Sequence, residues 1–182
     1  MRHIPNIICI LRIILVWPIA VALSEREYLL TLALFILAGA SDGVDGFLAK
    51  RFNWTSELGK FLDPAADKIL LVCVFVSATW MGLVPVWLTA AAVARDAMIA
   101  LGALTFRLWF GALHGRPTIL SKLNTGAQII YLLGVLAQHA FALPGRAVVA
   151  ALAIAALITT TLSGMDYIVR FTRRALALPA RP

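Results

Sequence analysis

Six apolar runs of about 20 to 25 residues follow one another along the chain, separated by short polar segments. Within each run the apolar residues are continuous rather than alternating, which argues against a transmembrane β-barrel. A helix of about 20 apolar residues crosses a bilayer core of about 30 Å. The pattern therefore predicts an all-α integral membrane protein with six transmembrane helices, at residues 4–23, 28–49, 59–80, 86–110, 119–142 and 147–171.

Composition supports membrane insertion. Hydrophobic residues make up 62% of the 182 positions, whereas soluble domains contain roughly 45–50% apolar residues. Mean hydropathy is correspondingly high, at +0.91. No repeat or separate soluble segment interrupts the series, so we expect a single membrane domain over residues 1–182.

The first run also resembles a signal peptide, because Ala20-Val21-Ala22 has the small residues of a cleavage site. Arg12, however, lies in the middle of the run, and the run is longer than the apolar region of most signal peptides. We therefore expect a retained first helix.

The basic residues give the helices an orientation. An even number of spans places both termini on one side of the membrane. Arg26 and Arg146 then lie on the opposite side, and the terminal side holds the other loop and tail cations, namely Arg2, Lys50, Arg51, Lys60, Arg116, Lys122, Arg173, Arg174 and Arg181. The positive-inside rule makes the terminal side cytoplasmic. This charge bias and the lack of a transit-like leader predict a bacterial inner membrane, with both termini in the cytoplasm.

The formal net charge of +7 indicates contact with lipid head groups. Because the cations lie in loops between apolar runs, they suit the anionic head groups of the bilayer, and we expect no nucleic-acid partner.

Four aspartates stand out against this apolar background. Asp42 and Asp45 are spaced i, i+3, and Asp63 and Asp67 are spaced i, i+4, so on helices each pair occupies one face. A charged residue at the centre of a membrane helix costs about 2.5–3.5 kcal/mol on insertion scales. Acids in such a chain therefore predict a functional site, here near the cytoplasmic surface.

Two kinds of countercharge are available to these acids. The first is a set of ion pairs with the nearby Lys50, Lys60 and Lys68. The second is a pair of divalent cations, because sites built from oxygen alone suit Mg²⁺, Mn²⁺ or Ca²⁺. Two metals at such a site can assist phosphoryl displacement. A divalent-cation transporter is an alternative class, although the four aspartates cluster near one face of the membrane.

The spacing of the acids and their small neighbours resembles the signature of the CDP-alcohol phosphotransferase family, D-x2-D-G-x2-A-R-x8-G-x3-D-x3-D. Seven defined positions agree within a 26-residue window, and the eighth departs because Lys50 occupies the arginine position. The matching residues are Asp42, Asp45, Gly46, Ala49, Gly59, Asp63 and Asp67.

This resemblance implies a metal-dependent transfer of the phosphatidyl group from CDP-diacylglycerol to an alcohol, with release of CMP. It implies two Mg²⁺ or Mn²⁺ ions on Asp42, Asp45 and Asp63, with Asp67 as a further candidate ligand. Asp67 is also the expected base for the acceptor hydroxyl. The expected nucleotide-binding residues are Asp42, Gly46, Ala49, Lys50 and Gly59. The family further suggests a homodimer.

Shorter motifs favour one branch of the family. Pro5-Asn6 with Arg12 is similar to the first helix of bacterial phosphatidylglycerophosphate and cardiolipin synthases. Arg95-Asp96 and the segment 116–128 look more like CMP-forming cardiolipin synthases. Phosphatidylglycerol is therefore the expected acceptor, and glycerol 3-phosphate, giving phosphatidylglycerophosphate, is the alternative.

The acceptor-binding residues are expected among the polar groups of the later helices, namely Arg95, Arg116, Lys122 and Asn124. A simpler interpretation makes Arg95 and Asp96 an intramembrane ion pair and the others orientation charges. Near the end of the last run, Asp166 is spaced to pair with Arg170, four residues later.

Overall fold

The computed structural model describes residues 4–52, 59–110 and 118–177, and the side chains of residues 10–41, 43, 66–105 and 118–173 within them. Throughout these ranges the regular secondary structure is helical. In chain order the helices are α1 (Ile4–Ser24), α2 (Tyr28–Phe52), α3 (Gly59–Trp80), α4 (Val86–Phe110), α5 (Ile119–Phe141) and α6 (Arg146–Ala177).

All six predicted helices are present, and α3 and α4 have the predicted bounds. Two helices run further than expected: α2 continues three residues past residue 49, and α6 continues six residues past residue 171. The predicted ends, at residues 49 and 171, lie just before the basic pairs Lys50-Arg51 and Arg173-Arg174. Arginine and lysine are good helix formers, however, and α6 meets no helix-breaking residue before Pro179.

Two helix ends are completed by the same backbone motif. After α1, Arg26 has φ 64°, and after α3, Gly82 has φ 72°. In each case the following amide donates back to a carbonyl five residues earlier, Glu27 to Ala22 and Leu83 to Ala78, both at 2.9 Å. These Schellman-type closures satisfy carbonyls that the helix end would otherwise leave without partners.

Among the described side chains, three helical segments are long and apolar enough to cross a membrane: Val86–Thr105, Ile119–Phe141 and Arg146–Arg173. Two shorter apolar segments, Ile10–Ser24 and Tyr28–Ser41, precede them. Large apolar side chains also face outward, among them Trp17, Trp80 and Val86. Such a surface is suited to lipid, and the chain is a membrane protein.

The helices form two compact units, described separately. The first contains α1, α2, α3 and the end of α5, from Leu132. Here α1 packs against both α2 and α3. The core of this unit is apolar and includes Ile19, Leu23, Phe35, Leu71, Val74, Phe75, Leu132 and Leu136.

The second unit contains α4, the first part of α5 up to Tyr131, and α6. Here α4 packs against α6. Its interior is more polar, because Arg95, Asn124, Gln128, Thr160 and Ser163 are all buried. The prediction of one functional domain over residues 1–182 is not tested by this packing and stays a prediction.

Candidate active site

Asp67 lies at the start of the buried stripe of α3. Ala66 directly precedes it, Leu70, Leu71 and Val74 follow at helical spacing, and all four are buried. On α1 the buried positions include Arg12 and Ile19, seven residues apart and therefore on one face. Because α1 packs against α3 along these faces, residues far apart in the sequence become neighbours.

The packing joins Arg12 to Asp67. Arg12 Nη1 donates to Asp67 Oδ1 at 2.5 Å, across a separation of 55 residues. The arginine side chain is 1% exposed and the aspartate side chain 38% exposed. A charge-assisted bond of this kind is shorter and stronger than a neutral one. The first unit thus contains a buried cation holding a partly accessible carboxylate.

The predicted ion pairs joined the aspartates to lysines and did not include Arg12. Lys50, Lys60 and Lys68 are close to the aspartates along the chain, whereas Asp67 pairs with Arg12 from another helix. The side chains of Lys50 and Lys60 lie outside the described part, so their pairing stays untested.

The structure supports the helical placement of the other three aspartates. Asp42 and Asp45 fall within α2, and Asp63 falls within α3. The helix α1 packs against both of these helices. The side chains of Asp42, Asp45 and Asp63 lie outside the described part, as do those of Ala49 and Lys50 and the surroundings of Gly46 and Gly59. Their predicted roles stay predictions.

A metal centre is likewise left as a prediction. Among the described side chains, no group of three or more His, Cys, Asp or Glu residues is placed to hold a metal ion. Three of the four predicted carboxylates are not in that set. What can be judged is the chemistry of the donors: four carboxylates without His or Cys fit a hard divalent cation.

In the second unit, Arg95 links three helices. Its Nη1 donates to Asp96 on α4 at 2.6 Å. Its Nη2 donates to Ser121 Oγ on α5 at 2.8 Å and also to Ser163 Oγ on α6. The arginine is 4% exposed and Asp96 14% exposed. The predicted pairing of Arg95 with Asp96 is therefore confirmed, within a larger network, and its depth in the membrane stays a prediction.

Asn124 belongs to a second polar cluster between α5 and α6. Its Oδ1 accepts from Thr160 Oγ1 at 2.7 Å and from Thr159 Oγ1 at 3.2 Å. Gln128 Nε2 donates to Thr160 Oγ1 at 3.4 Å. These bonds satisfy buried polar groups in a membrane helix pair, where each unmade bond is costly.

Two buried donors in this unit have no hydrogen-bond partner among the described residues, Arg95 Nε and Asn124 Nδ2. Buried donors are normally bonded to protein or to water. Each of these two atoms could therefore donate a hydrogen bond to a ligand that enters this unit. Both belong to residues that we predicted to bind the acceptor.

The remaining predicted acceptor residues are placed differently. Lys122 follows Ser121 on the first turn of α5 and is exposed. The start of that helix is capped by Thr118, whose Oγ1 accepts from the Ser121 amide at 3.1 Å. Arg116 lies outside the described residues.

A groove of about 250 Å³ lies beside Arg95 between α4 and α6. Its lining is mostly apolar or small and consists of Ala91, Ala94, Arg95, Met98, Thr160, Thr161, Gly164, Met165 and Ile168. Gly164 leaves space there, because an added Cβ would lie 3.5 Å from Met98 Cε and 3.7 Å from Arg95 Cγ. The groove therefore borders the buried arginine with an apolar wall.

Sequence reasoning missed several of these partners. Arg12 interrupts the first run and belongs to its family-like motif, and neither feature indicates its partner, although a cation there requires a countercharge. Ser163, Thr160 and Gln128 gave no signal beyond being polar residues in apolar helices. One available clue was their spacing at helical intervals, which places them on one face of α5 or α6.

Comparison with known proteins agrees with the arrangement of acids. Residues 2–162 match the profile of the family described as CDP-alcohol phosphatidyltransferase. The match covers most of the chain and includes the four aspartates. The chain therefore belongs to the CDP-alcohol phosphatidyltransferase family.

Individual relatives lie in two branches. A cardiolipin synthase (CMP-forming) of Homo sapiens is 34% identical over 154 residues, covering 76% of this chain and 51% of the human protein. A cardiolipin synthase (CMP-forming) of Streptomyces coelicolor is 46% identical over 76 residues, covering 42% of this chain and 34% of that protein.

The other branch is represented by a CDP-diacylglycerol–glycerol-3-phosphate 3-phosphatidyltransferase of the rice chloroplast, from Oryza sativa subsp. japonica. It is 31% identical over 156 residues, covering 76% of this chain and 47% of that protein. The chain thus spans about half the length of the human and rice relatives.

Proposed function

We propose that this protein transfers the phosphatidyl group from CDP-diacylglycerol to the hydroxyl of phosphatidylglycerol, giving cardiolipin and CMP. The observation that carries the proposal is the family match over residues 2–162, within which the two acidic pairs have the expected spacing. The cardiolipin synthases among the relatives favour this acceptor. The reaction belongs to phospholipid biosynthesis.

In this proposal Asp67 is the general base. The acceptor oxygen forms a bond to the phosphorus of the phosphatidyl group, and the bond from that phosphorus to the bridging oxygen breaks, so CMP leaves with the electron pair. The hydroxyl proton passes to Asp67. A base must approach this hydroxyl to hydrogen-bond distance, and the partial exposure of Asp67 is compatible with that approach.

We assign two Mg²⁺ or Mn²⁺ ions to Asp42, Asp45 and Asp63, with Asp67 as a further ligand. When bound, such cations would neutralise charge on the pyrophosphate and on the departing CMP. The nucleotide is assigned to Asp42, Gly46, Ala49, Lys50 and Gly59. Small residues allow a ligand to approach a helix backbone closely, and Lys50 supplies a charge without the bidentate fork of arginine.

Recognition of the acceptor is assigned to Arg95 and Asn124, with Arg116 and Lys122 as further cations for an anionic head group. Support comes from two buried donors that have no hydrogen-bond partner among the described residues, Arg95 Nε and Asn124 Nδ2. Since a buried donor gains most from a hydrogen bond, these atoms suit the phosphate or hydroxyl oxygens of an acceptor.

A second candidate uses glycerol 3-phosphate as the acceptor and makes phosphatidylglycerophosphate. The rice relative favours it, because its name specifies that reaction. The Arg95-Asp96 motif favours cardiolipin synthesis instead. A divalent-cation transporter is much less favoured, because the chain belongs to a transferase family.

The proposed setting is a bacterial inner membrane, with six spans, both termini in the cytoplasm and the aspartates at the cytoplasmic face. The charge bias of the loops supports this orientation. We further propose a homodimer, from the family resemblance alone, and one catalytic domain over residues 1–182.

Purified protein in detergent, given labelled CDP-diacylglycerol with Mg²⁺ or Mn²⁺, tests the proposal directly. CMP and cardiolipin should form when phosphatidylglycerol is added and should be absent when it is omitted or the metal is chelated. If CMP is released with glycerol 3-phosphate but not with phosphatidylglycerol, the second candidate is correct. No CMP release with any alcohol would contradict the enzymatic proposal.

A further inference from the structure

We propose that Arg12 is a positioning residue for Asp67, fixing the carboxylate in the orientation needed to take the acceptor proton. This inference rests on the proposed function, because it assigns a role within that reaction. It concerns a residue of the first helix that the predicted catalytic, metal and substrate sites do not include.

The cation of this pair is buried. Arg12 is 1% exposed, and its helix contributes an apolar face that includes Ile19 and Leu23. A charge in such a place requires a partner with good geometry, since its desolvation is expensive. The ion pair with Asp67 provides that partner.

The two side chains of the pair differ in exposure. The guanidinium is enclosed by packed helices, whereas the Asp67 side chain is 38% exposed. An enclosed side chain has few alternative rotamers, because the surrounding core is close-packed. The arginine is therefore the fixed partner, and its bond restricts the orientation of the accessible acid.

The two carboxylate oxygens of Asp67 are assigned different roles. Arg12 Nη1 engages Oδ1 at 2.5 Å. We assign proton transfer to the other oxygen, Oδ2, whose direction is set once Oδ1 is held. A catalytic group must be held close to its productive geometry, and misplacement by about 1 Å can cost roughly 100-fold in rate.

A purely structural role would also produce an ion pair here, because Arg12 joins α1 to α3. The two roles differ in what happens to molecules that remain folded. A structural tie changes the folded fraction, whereas a positioning residue changes the turnover of the folded protein and does so through Asp67.

The test measures kcat, KM for CDP-diacylglycerol and thermal unfolding of the full chain in detergent, for Arg12→Gln and Arg12→Lys. We expect Arg12→Gln to lower kcat about 10- to 100-fold, because misplacing a catalytic group by about 1 Å can cost roughly 100-fold in rate. KM for the donor should change little. Arg12→Lys should restore part of kcat, because a lysine keeps the charge but offers a less defined geometry.

Ile19→Ala is the matched control. It removes buried volume from the same face of α1 and lowers stability without touching Asp67. Its kcat per folded molecule should equal that of the wild type. If Arg12→Gln behaves like Ile19→Ala, with a lower melting temperature and an unchanged kcat, the inference is wrong. Arg12→Lys provides the comparison if the glutamine variant does not fold.

A double variant shows whether Arg12 acts through the aspartate. In an Asp67→Asn background, adding Arg12→Gln should cause no further loss of the residual rate. A further loss of the full size would show an independent role and would overturn the inference. A wild type that releases no CMP with any acceptor would overturn the proposed function as well, so the two failures are distinguishable.

Discussion

Two of the arginines that the structure describes lie buried in apolar helices, and their charges are balanced in different ways. Arg12 is paired with Asp67, which comes from another helix and is 38% exposed. Arg95 is paired with its sequence neighbour Asp96 and with two serines from other helices. The first arrangement directs a buried cation toward an accessible acid, and the second distributes a cation over an enclosed network.

The difference separates two uses of a buried charge. An acid that remains accessible can still exchange a proton with a ligand, as the proposed function requires of Asp67. An enclosed network with three bonds to three helices stabilises a packing arrangement and offers a ligand only the donor left over, Arg95 Nε. Variants should therefore affect turnover most at the first site and stability most at the second.

The largest effect is expected for Asp67→Asn. This change keeps the size of the side chain and removes its basicity, so kcat for CMP release should fall by at least about 100-fold. Binding of CDP-diacylglycerol, measured as ligand-induced thermal stabilisation, should largely remain. If donor binding is lost together with turnover, Asp67 is chiefly a metal ligand.

Arg95→Gln should have the largest effect on stability. It removes the guanidinium from a network in which Asp96 is 14% exposed, and breaking a buried ion pair costs about 3–5 kcal/mol. Reversible unfolding in mixed micelles measures the loss. A change below about 1 kcal/mol would mean that the network contributes little, since exposed pairs have that value.

Thr160→Val tests the second polar cluster with a smaller change. The substitution removes the hydroxyl that donates to Asn124 Oδ1 and accepts from Gln128. Leaving buried polar groups without a partner costs about 1–3 kcal/mol. The neighbouring Thr161→Val is the control, because that hydroxyl donates to the carbonyl of Leu157 in its own helix. Equal losses in both variants would contradict a special role for Thr160.

The smallest effect is expected for Arg170→Gln. Arg170 Nε donates to Asp166 Oδ1 at 2.7 Å, but the arginine side chain is 60% exposed. Such a surface pair on one helix contributes less than about 1 kcal/mol. The same unfolding measurement checks the prediction. If Arg170→Gln lowers the free energy of unfolding as much as Arg95→Gln does, burial does not explain the different contributions of these arginines.

The i, i+4 pair of Asp166 and Arg170 was predicted correctly, because helical spacing alone makes such residues neighbours. The pair of Arg95 and Asp96 was also predicted, although its two serine partners were not. Prediction succeeded for contacts within one helix and failed for contacts between helices. The reason is that sequence spacing fixes positions around one helix axis but not which helix faces which.

The sequence by itself determined the six helices, the membrane character and the spacing of four aspartates. These properties depend on hydrophobic content, on run length relative to the bilayer and on local periodicity. The family resemblance added the expected chemistry, and the comparisons bore out the family.

Only the tertiary structure decided that Asp67 is joined to Arg12. The two residues are 55 positions apart. The hydrophobic pattern of each helix is compatible with packing against several other helices, so it does not specify the neighbour. Their contact follows from the packing of α1 against α3, which in lipid depends on van der Waals contacts and polar bonds between helices. A buried arginine then binds the acid that this packing brings within reach.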